Sequence, residues 1–387
     1  MIQKSIGILA DQIRGVSYKK KNLHDTLDEN SVILLRANNI INGKLDFTDV
    51  LYVDKSVISD TQYLKYGDIL ISASSGSKKV IGKAASFHSQ CKCTFGAFCK
   101  VIRPHKDVRE FLRIYFQSSA YRRQISHLAL GANINNIRNE HIDSLQLEIP
   151  NETARKQIVN KIDLLQKILT KKQQILSDLD ELIKARFVEM FGDPVLNPNN
   201  YELIKLSDLG ALNRGKSKHR PRNDPKLLGG PYPLIQTGDI TNSDIFIRKY
   251  NSTYSKFGLE QSKMWPEGTF CITIAANIAQ TAILSFNACF PDSVVGFIPN
   301  SDRITTIYLH YWFSFYQKIL DTQASQVAQK NINLKVLSNL DIAVPPKAEQ
   351  DNFLSFVQQV DKSKVAVQKS LKETQTLFDS LMQKYFS

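Results

Sequence analysis

The sequence contains no run of about eighteen apolar residues, which excludes a membrane-spanning helix of ordinary length. Its N-terminus lacks the basic-then-apolar pattern of a secretory signal, so we expect a cytoplasmic protein. Cysteine is scarce and odd in number, with no second pair at zinc-site spacing. We therefore predict no metal site and assign to sheet cores, in reduced form, the residues Cys91, Cys93, Cys99, Cys271 and Cys289.

Recognisable catalytic motifs are also missing. The seven histidines are scattered, and no carboxylate cluster with a lysine resembles a nuclease centre. One segment, GALNRGKS at 210–217, matches the phosphate-binding loop pattern G-x-x-x-x-G-K-S. Such a loop must lead into a helix, and four prolines between 221 and 233 oppose one. We predict a chain that is not an enzyme, and keep a nucleotide-binding P-loop protein as an alternative.

Positive charge is in excess. The chain has 50 Lys and Arg against 37 Asp and Glu, a formal charge of +13. Residues 1–150 carry 21 basic against 14 acidic residues (+7), and residues 196–345 carry 15 against 11 (+4). Such an excess favours a polyanionic partner, because basic side chains neutralise phosphates and release counterions. The charge therefore points to nucleic acid.

The sequence is duplicated. Residues 145–192 recur as 340–387 at a shift of 195 (345 − 150), with Pro150 matching Pro345. The front of each half matches at a shift of 200 (214 − 14): Arg14-Gly15-x-Ser17 becomes Arg214-Gly215-x-Ser217, and LLRANNI at 34–40 becomes LIQTGDI at 234–240. Between these anchors the halves diverge. The repeat predicts a pseudo-two-fold molecule in which one frame presents two different surfaces.

Within each half, apolar runs alternate with turns and then give way to a helix. Strands are predicted at 31–35, 51–53, 68–72, 97–102 and 145–149, and again at 233–235, 269–274, 294–298 and 340–344. Helices are predicted at 108–130 and 304–319. Each globular half is therefore mixed α and β, and the fold class is α+β.

A long helix follows each proline. Its apolar residues recur at alternating spacings of three and four, as in a coiled-coil seam, with Lys172, Lys364 and Thr374 as polar exceptions. Two separate surface helices remain an alternative. The predicted seam residues are Ile162, Leu165, Leu169, Leu176, Leu179, Ile183, Val357, Val360, Val367, Leu371, Phe378 and Leu381.

Several segments resemble the specificity subunits of type I restriction–modification systems. The central DELIKARFVEMFGDP at 180–194 is the most specific of them, and GDILIS at 67–72, LIQTGDI at 234–240, VPPKAEQ at 344–350 and SLMQKYF at 380–386 agree with it. The resemblance covers essentially the whole chain, including its duplicated order. One departure is Ala154-Arg155 in the first copy, where the second has Glu349-Gln350.

The resemblance implies two target-recognition domains, at 1–150 and 196–345, each reading half of a split asymmetric DNA site. Conserved helices at 151–195 and 346–387 would pack as an antiparallel coiled coil and dock two methyltransferase subunits, which two restriction subunits would join. S-adenosylmethionine would be held by the methyltransferase subunits, and ATP with Mg by the restriction subunits, so this chain itself would hold no cofactor.

Base-reading side chains must reach base edges, whereas phosphate contacts position the protein. A binder without sequence preference remains an alternative, although two unlike surfaces would serve it no purpose. We expect the triple lysine at 19–21 to contact phosphates. The candidate DNA-binding residues are Lys19, Lys20, Lys21, Arg36, Asn38, Ser75, Ser77, Lys78, Lys79, Asn135, Asn136, Lys216, Lys218, His219, Arg220, Arg222, Gln236, Thr237, Asn277, Gln280, Gln329 and Lys330.

Overall fold

The computed structural model describes residues 2–74, 80–130, 136–194, 196–275, 278–326 and 332–386, with the backbone alone at 129–130 and 318–326. The chain divides into two compact units. Unit 1 is Met1–Gln173 with Lys369–Ser387, and unit 2 is Gln174–Gln368. Both contain sheets and helices, which confirms the predicted α+β class.

Unit 1 is built around two four-stranded sheets. The sheet centred on Cys99–Pro104 is antiparallel, and the sheet centred on Ser31–Leu35 includes a parallel pairing with Cys93–Phe95. The strands are Ile2–Ser5, Ala10–Arg14, Leu23–His24, Ser31–Leu35, Ile40–Ile41, Lys44–Leu45, Leu51–Asp54, Ile69–Ser72, Ala84–Ser86, Cys93–Phe95, Cys99–Pro104 and Gln146–Ile149. The shorter helices are Ile6–Leu9, Lys20–Asn22, Ala37–Asn39, Lys55–Val57, Asp60–Gln62, Arg109–Tyr115, Ser119–Leu130 and Asn139–Asp143.

Unit 2 repeats this plan. Its five-stranded sheet places Val294–Pro299 between Gly210–Arg214 and Phe270–Thr273, as unit 1 places Cys99–Pro104 between Ala10–Arg14 and Ile69–Ser72. The strands are Glu202–Lys205, Gly210–Arg214, Leu228–Leu234, Phe246–Ile247, Ser252–Tyr254, Met264–Trp265, Phe270–Thr273, Thr281–Leu284, Ala288–Cys289, Val294–Pro299 and Asp341–Val344. The shorter helices are Leu206–Asp208, Pro225–Leu227, Thr237–Thr241, Lys256–Glu260, Thr306–Gln326 and Leu334–Ser338.

The structure corrects two expectations. The helix predicted at 108–130 is two helices, Arg109–Tyr115 and Ser119–Leu130. The break arises because the Ser118 hydroxyl accepts a hydrogen bond from the Tyr121 backbone N–H at 3.1 Å, as an N-cap does. The strand predicted at 97–102 is Cys99–Pro104, because residues 97–98 form a turn before it. The phosphate-loop alternative is not supported, since Gly210–Arg214 is a sheet strand and the next helix begins only at Pro225.

Two helices of 40 residues each, Glu152–Phe191 and Lys347–Phe386, contribute to both units. In unit 1, Ile158 and Ile162 share a core with Met382 and Phe386, while Lys172 lies farther along, beside Ser370 and Thr374. The two segments therefore run antiparallel within unit 1. None of the helices within the described ranges is long and apolar enough to cross a membrane.

The corresponding segments in unit 2 are also antiparallel. The rings of Phe187 and Phe191 each lie 5.5 Å from that of Phe353. Asp180, which precedes them on its helix, accepts a hydrogen bond from Lys364, which follows Phe353 on the other. All twelve predicted seam residues are buried or half-buried. The polar exceptions are satisfied by hydrogen bonds: in unit 1, Lys172 Nζ donates to the Ser370 and Thr374 hydroxyls at 2.6 and 2.7 Å.

The two long helices begin with different residues that make equivalent bonds. In unit 2, Gln350 donates to the carbonyls of Pro345 at 2.9 Å and Arg303 at 3.0 Å. In unit 1, Arg155 donates to the carbonyls of Pro150 at 2.9 Å and Asp107 at 3.3 Å. Each helix start is thus tied to the carbonyl of the proline before it and to one carbonyl of the globular part, by a neutral amide in one copy and by a guanidinium in the other.

Candidate nucleic-acid interface

In unit 1, two segments that lead to predicted DNA-binding residues contact the turn 96–98, and a third pairs with one of them. Gly15 approaches the turn so closely that a Cβ on it would lie 2.1 Å from the Gly96 carbonyl oxygen, so only glycine fits. The backbone N–H groups of Ala73 and Ser74 donate to the Phe98 carbonyl at 2.9 and 3.0 Å. Ser74 also forms a β-bridge with Asn136. The turn therefore gathers segments that lie far apart in sequence.

Unit 2 has the same arrangement at the turn 291–293. A Cβ on Gly215 would lie 2.4 Å from the carbonyl oxygens of Phe290 and Pro291. The backbone N–H of Ile274 donates to the Ser293 carbonyl at 3.0 Å, as that of Ala73 does to Phe98. The repeated glycine is thus explained by a close backbone approach that both units need.

The side chains on the two turns differ in kind. Phe98 in unit 1 is 71% exposed, the largest exposed fraction of any aromatic residue among the described large hydrophobics. In unit 2 the matching turn carries Asp292, whose carboxylate pairs with Arg222 and lies 3.5 Å from Arg220. An apolar ring and a carboxylate that organises two arginines offer different contacts to a ligand on one backbone frame.

Basic and polar candidates surround these turns. Lys19, Lys20 and Lys21 are exposed at the short helix Lys20–Asn22, where the Asn22 side chain accepts from the Lys19 N–H at 2.9 Å. Exposed lysines on an ordered turn suit phosphate contacts. Asn136 is exposed as well.

Arg36 and Asn38 are held by one carboxylate. Their side chains donate to Asp49 Oδ2 at 3.2 and 2.9 Å, respectively. This pairing fixes both side chains at the short helix Ala37–Asn39. To contact a base, each would have to exchange or share its bond with Asp49.

In unit 2, the segment after Gly215 is anchored without a helix. Gln261 Oε1 accepts from the backbone N–H groups of Lys218 at 2.7 Å and His219 at 3.1 Å, leaving the exposed Lys216 and Lys218 side chains toward solvent. His219 Nε2 lies 2.8 Å from Asp224. The Lys226 backbone N–H and the His219 ring lower the pKa of the Asp224 carboxyl.

The remaining described candidates in unit 2 lie at the start of a short helix and beside the strand that ends at Thr273. Gln236 is exposed and precedes the short helix Thr237–Thr241, with its N–H bonded to Asp239 Oδ2 at 2.8 Å, and Thr237 is half-buried. Gln280 is half-buried, and its N–H bonds the Thr273 hydroxyl at 3.0 Å. Outside the described residues lie Ser75, Ser77, Lys78, Lys79, Asn135, Asn277, Gln329 and Lys330.

Sequence reasoning missed Phe98, Asp49 and Asp292. Aligning the two halves at the shift of 195 places Phe98 against Ser293 and Ala97 against Asp292, and that divergence directly before matched strands was the available signal. The five cysteines are free thiols, four of them buried. Across the described ranges, no three His, Cys, Asp or Glu residues are grouped so as to hold a metal ion.

Comparison with known proteins agrees with this architecture. A crystal structure of a type I restriction–modification system S subunit from M. genitalium matches at a TM-score of 0.60 and 14% identity, over 100% of this chain and 96% of that one. A structure from work on assembly and conformational transition of the type I R-M system matches at a TM-score of 0.59 and 17% identity, over 100% of this chain and 97% of that one. At these identities, the likeness shows the fold.

Sequence relatives extend the agreement. The specificity subunit of the type I restriction enzyme EcoKI from Escherichia coli K12 is 28% identical, over 97% of this chain and 86% of that protein. That of StySPI from Salmonella potsdam is also 28% identical, over 96% and 84%. The family model described as the type I restriction modification DNA specificity domain matches twice, at residues 6–180 and 198–375. With both halves matched, this chain belongs to the type I restriction–modification DNA specificity family.

Proposed function

We propose that the chain reads a split, asymmetric DNA site, one half with each unit, for a type I restriction–modification complex. The observation that carries this proposal is the pair of matching turns, 96–98 and 291–293, which share backbone hydrogen bonds but carry unlike side chains. A binder without sequence preference would gain nothing from such divergence. The exposed lysines of both units supply phosphate contacts, which position the protein without reading sequence.

Arginines organised by carboxylates are suited to base reading in unit 2. A guanidinium held in a fixed plane pairs with guanine through two parallel hydrogen bonds. Asp292 contacts one terminal nitrogen of Arg220 and one of Arg222 before DNA arrives, which restricts both side chains and lowers the entropy lost on binding. In unit 1, the exposed Phe98 ring suits an apolar contact with a thymine methyl group.

The long helices are the proposed docking surface for two methyltransferase subunits, which two restriction subunits join. Leu182 and Leu377 support this proposal: they match at the repeat shift of 195, and their exposed fractions are 48% and 51%. An exposed leucine at the same position of both copies suits two identical partners. The chain acts without catalysis of its own, S-adenosylmethionine belongs to the methyltransferase subunits, and ATP with Mg belongs to the restriction subunits.

The test exchanges one half of the chain. Residues 201–335 are replaced by the matching segment of another family member, the hybrid is expressed with its methyltransferase, and methylated sites are mapped across the genome. We expect one half of the recognised site to change and the other to stay. The reciprocal exchange of residues 1–145 is the control and should change the other half. A change in both halves, or in neither, would contradict the proposal.

A further inference from the structure

A buried lysine connects the globular part of unit 2 to its long helices. Lys364 lies in the helix seam with only 4% of its side chain exposed. Its ammonium donates to Asp180 Oδ1 at 2.6 Å and to Asp244 Oδ2 at 3.0 Å. Asp180 belongs to the other long helix, whereas Asp244 belongs to the globular part. Lys364 therefore joins three elements of unit 2 through two charged hydrogen bonds.

Asp244 lies just beyond the short helix Thr237–Thr241, whose start carries the candidate base-reading residues. The end of that helix is well ordered by its own bonds: the Asn242 N–H donates to the Gly238 carbonyl at 3.0 Å, and the Ser243 hydroxyl donates to the Asp239 carbonyl at 2.7 Å. Lys364 thus bonds a residue that lies three positions beyond the end of this helix, next to residues whose bonds continue the helix.

The first copy of the repeat has a different residue type at the position of Lys364. Lys364 corresponds to Leu169, which is buried with 8% exposed. A leucine is therefore compatible with the seam, and burying an ammonium costs desolvation energy that a leucine would not. Burial alone lowers the pKa of Lys364, but the hydrogen bonds to Asp180 and Asp244 raise it above its usual value and keep the group charged. A charge retained where leucine fits is better explained by geometry than by stability.

The other seam lysine lacks this connection. Lys172, in unit 1, corresponds to Val367 and donates to the Ser370 carbonyl and to the Ser370 and Thr374 hydroxyls. All these partners lie on the opposite long helix. Lys172 is thus a seam lysine that binds helix to helix, and it provides a matched control for Lys364.

We propose that Lys364 is a positioning residue for the second half-site, holding the short helix Thr237–Thr241 against the long helices through Asp244. The proposal rests on the proposed function for its consequence in DNA reading, but the connection itself concerns the free protein. A second ion pair, Arg248 with Asp361 at 2.6 Å, also joins the globular part of unit 2 to this helix; its side chains are 42% and 18% exposed, against 4% and 48% for Lys364 and Asp244. The cation of that pair is reached by solvent whereas the ammonium of Lys364 is buried, so solvent screens the bond of Lys364 less on the cation's side.

The first measurement is hydrogen exchange in the full-length free protein. In Lys364→Leu, which installs the residue of the first copy, the amides of Asn242 and Ser243 should exchange at least about tenfold faster, because loss of a hydrogen bond to a charged group corresponds to a factor of that order. Asp244→Asn should have the same effect in the same amides. Asp180→Asn, and Lys172→Val in unit 1, should leave them unchanged. Equal protection in wild type and Lys364→Leu would overturn the proposal.

The second measurement is selection from a random-sequence duplex DNA library by the full chain assembled with its methyltransferase. Lys364→Leu should lose about tenfold of its sequence preference at one half-site and keep the other, since a charged hydrogen bond is worth about that factor. The retained half-site shows that the protein is folded. Equal losses at both half-sites, or the same loss in Lys172→Val, would overturn the positioning role. If wild type selects no split site, the proposed function fails, and hydrogen exchange still decides the connection.

Discussion

Gln350 offers a direct test of how the second long helix is fixed within unit 2. Its side chain is 0% exposed, accepts from the Thr305 N–H at 2.9 Å and donates to the carbonyls of Arg303 and Pro345. Gln350→Ala leaves these three backbone groups without a partner. We count one of the three groups as fully buried, at about 1–3 kcal/mol when unsatisfied, and two as partly hydrated, at about 1 kcal/mol each. The free energy of unfolding of unit 2 should therefore fall by about 3–5 kcal/mol.

The assay uses the only two tryptophans of the sequence, Trp265 and Trp312, which are both buried in unit 2. Urea titration followed by their fluorescence measures the change in the free energy of unfolding. Gln358→Ala is the matched control, because Gln358 is exposed on the same helix and its loss should cost no more than about 0.5 kcal/mol. Gln350→Arg should recover part of the loss, as Arg155 makes two similar bonds to carbonyls. A cost below about 1 kcal/mol for Gln350→Ala would refute the reasoning.

Three further predictions concern binding, pH and assembly. Lys216→Ala should weaken DNA binding and reduce the slope of log affinity against log salt by about one, whereas the exposed Lys362→Ala should not, and calorimetry should detect no ATP binding by either protein. Burial lowers the pKa of His310 from its usual 6.5 to about 4, so the unfolded state takes up the proton first. Stability should be full above pH 6.5 and fall between pH 6.5 and about 4; an unchanged urea midpoint over this range, or the same fall in His310→Gln, would contradict it. Leu182→Glu or Leu377→Glu should each remove one methyltransferase subunit from the assembly and the double variant both, as measured by light scattering; full assembly of the double variant would refute docking at these leucines.

Local patterns in the sequence predicted much of the fold. The strand Ser31–Leu35 has the predicted bounds, because an apolar run between turn residues is a signal contained in the segment itself. The seam residues of the long helices are likewise buried or half-buried, since heptad spacing alone decides which face of a helix is apolar. The break at Ser118 escaped the pattern because Phe116 and Ala120, on either side of it, keep the spacing of four that suits a continuous helix.

The arrangement of the candidate interface could not be predicted in the same way. Lys364 and Asp244 lie 120 residues apart, and only the tertiary fold brings them together. Arg36 and Asn38 could be named as candidates from residue type, but their shared partner Asp49 could not. Phe98 gave no signal as a single residue, since isolated exposed apolar side chains are common. Its meaning comes from the turn that it occupies.

The matching turns have a consequence for how new specificities arise. The bonds from Ala73 to Phe98 and from Ile274 to Ser293 join backbone atoms only, so the frame does not depend on which side chains the turns carry. Substitutions at 97–98 and 292–293 should therefore leave these two bonds in place, whereas Gly15 and Gly215 are not free to vary. If these turns read DNA as proposed, a designed library confined to the four positions would change the recognised sequence while keeping the backbone frame.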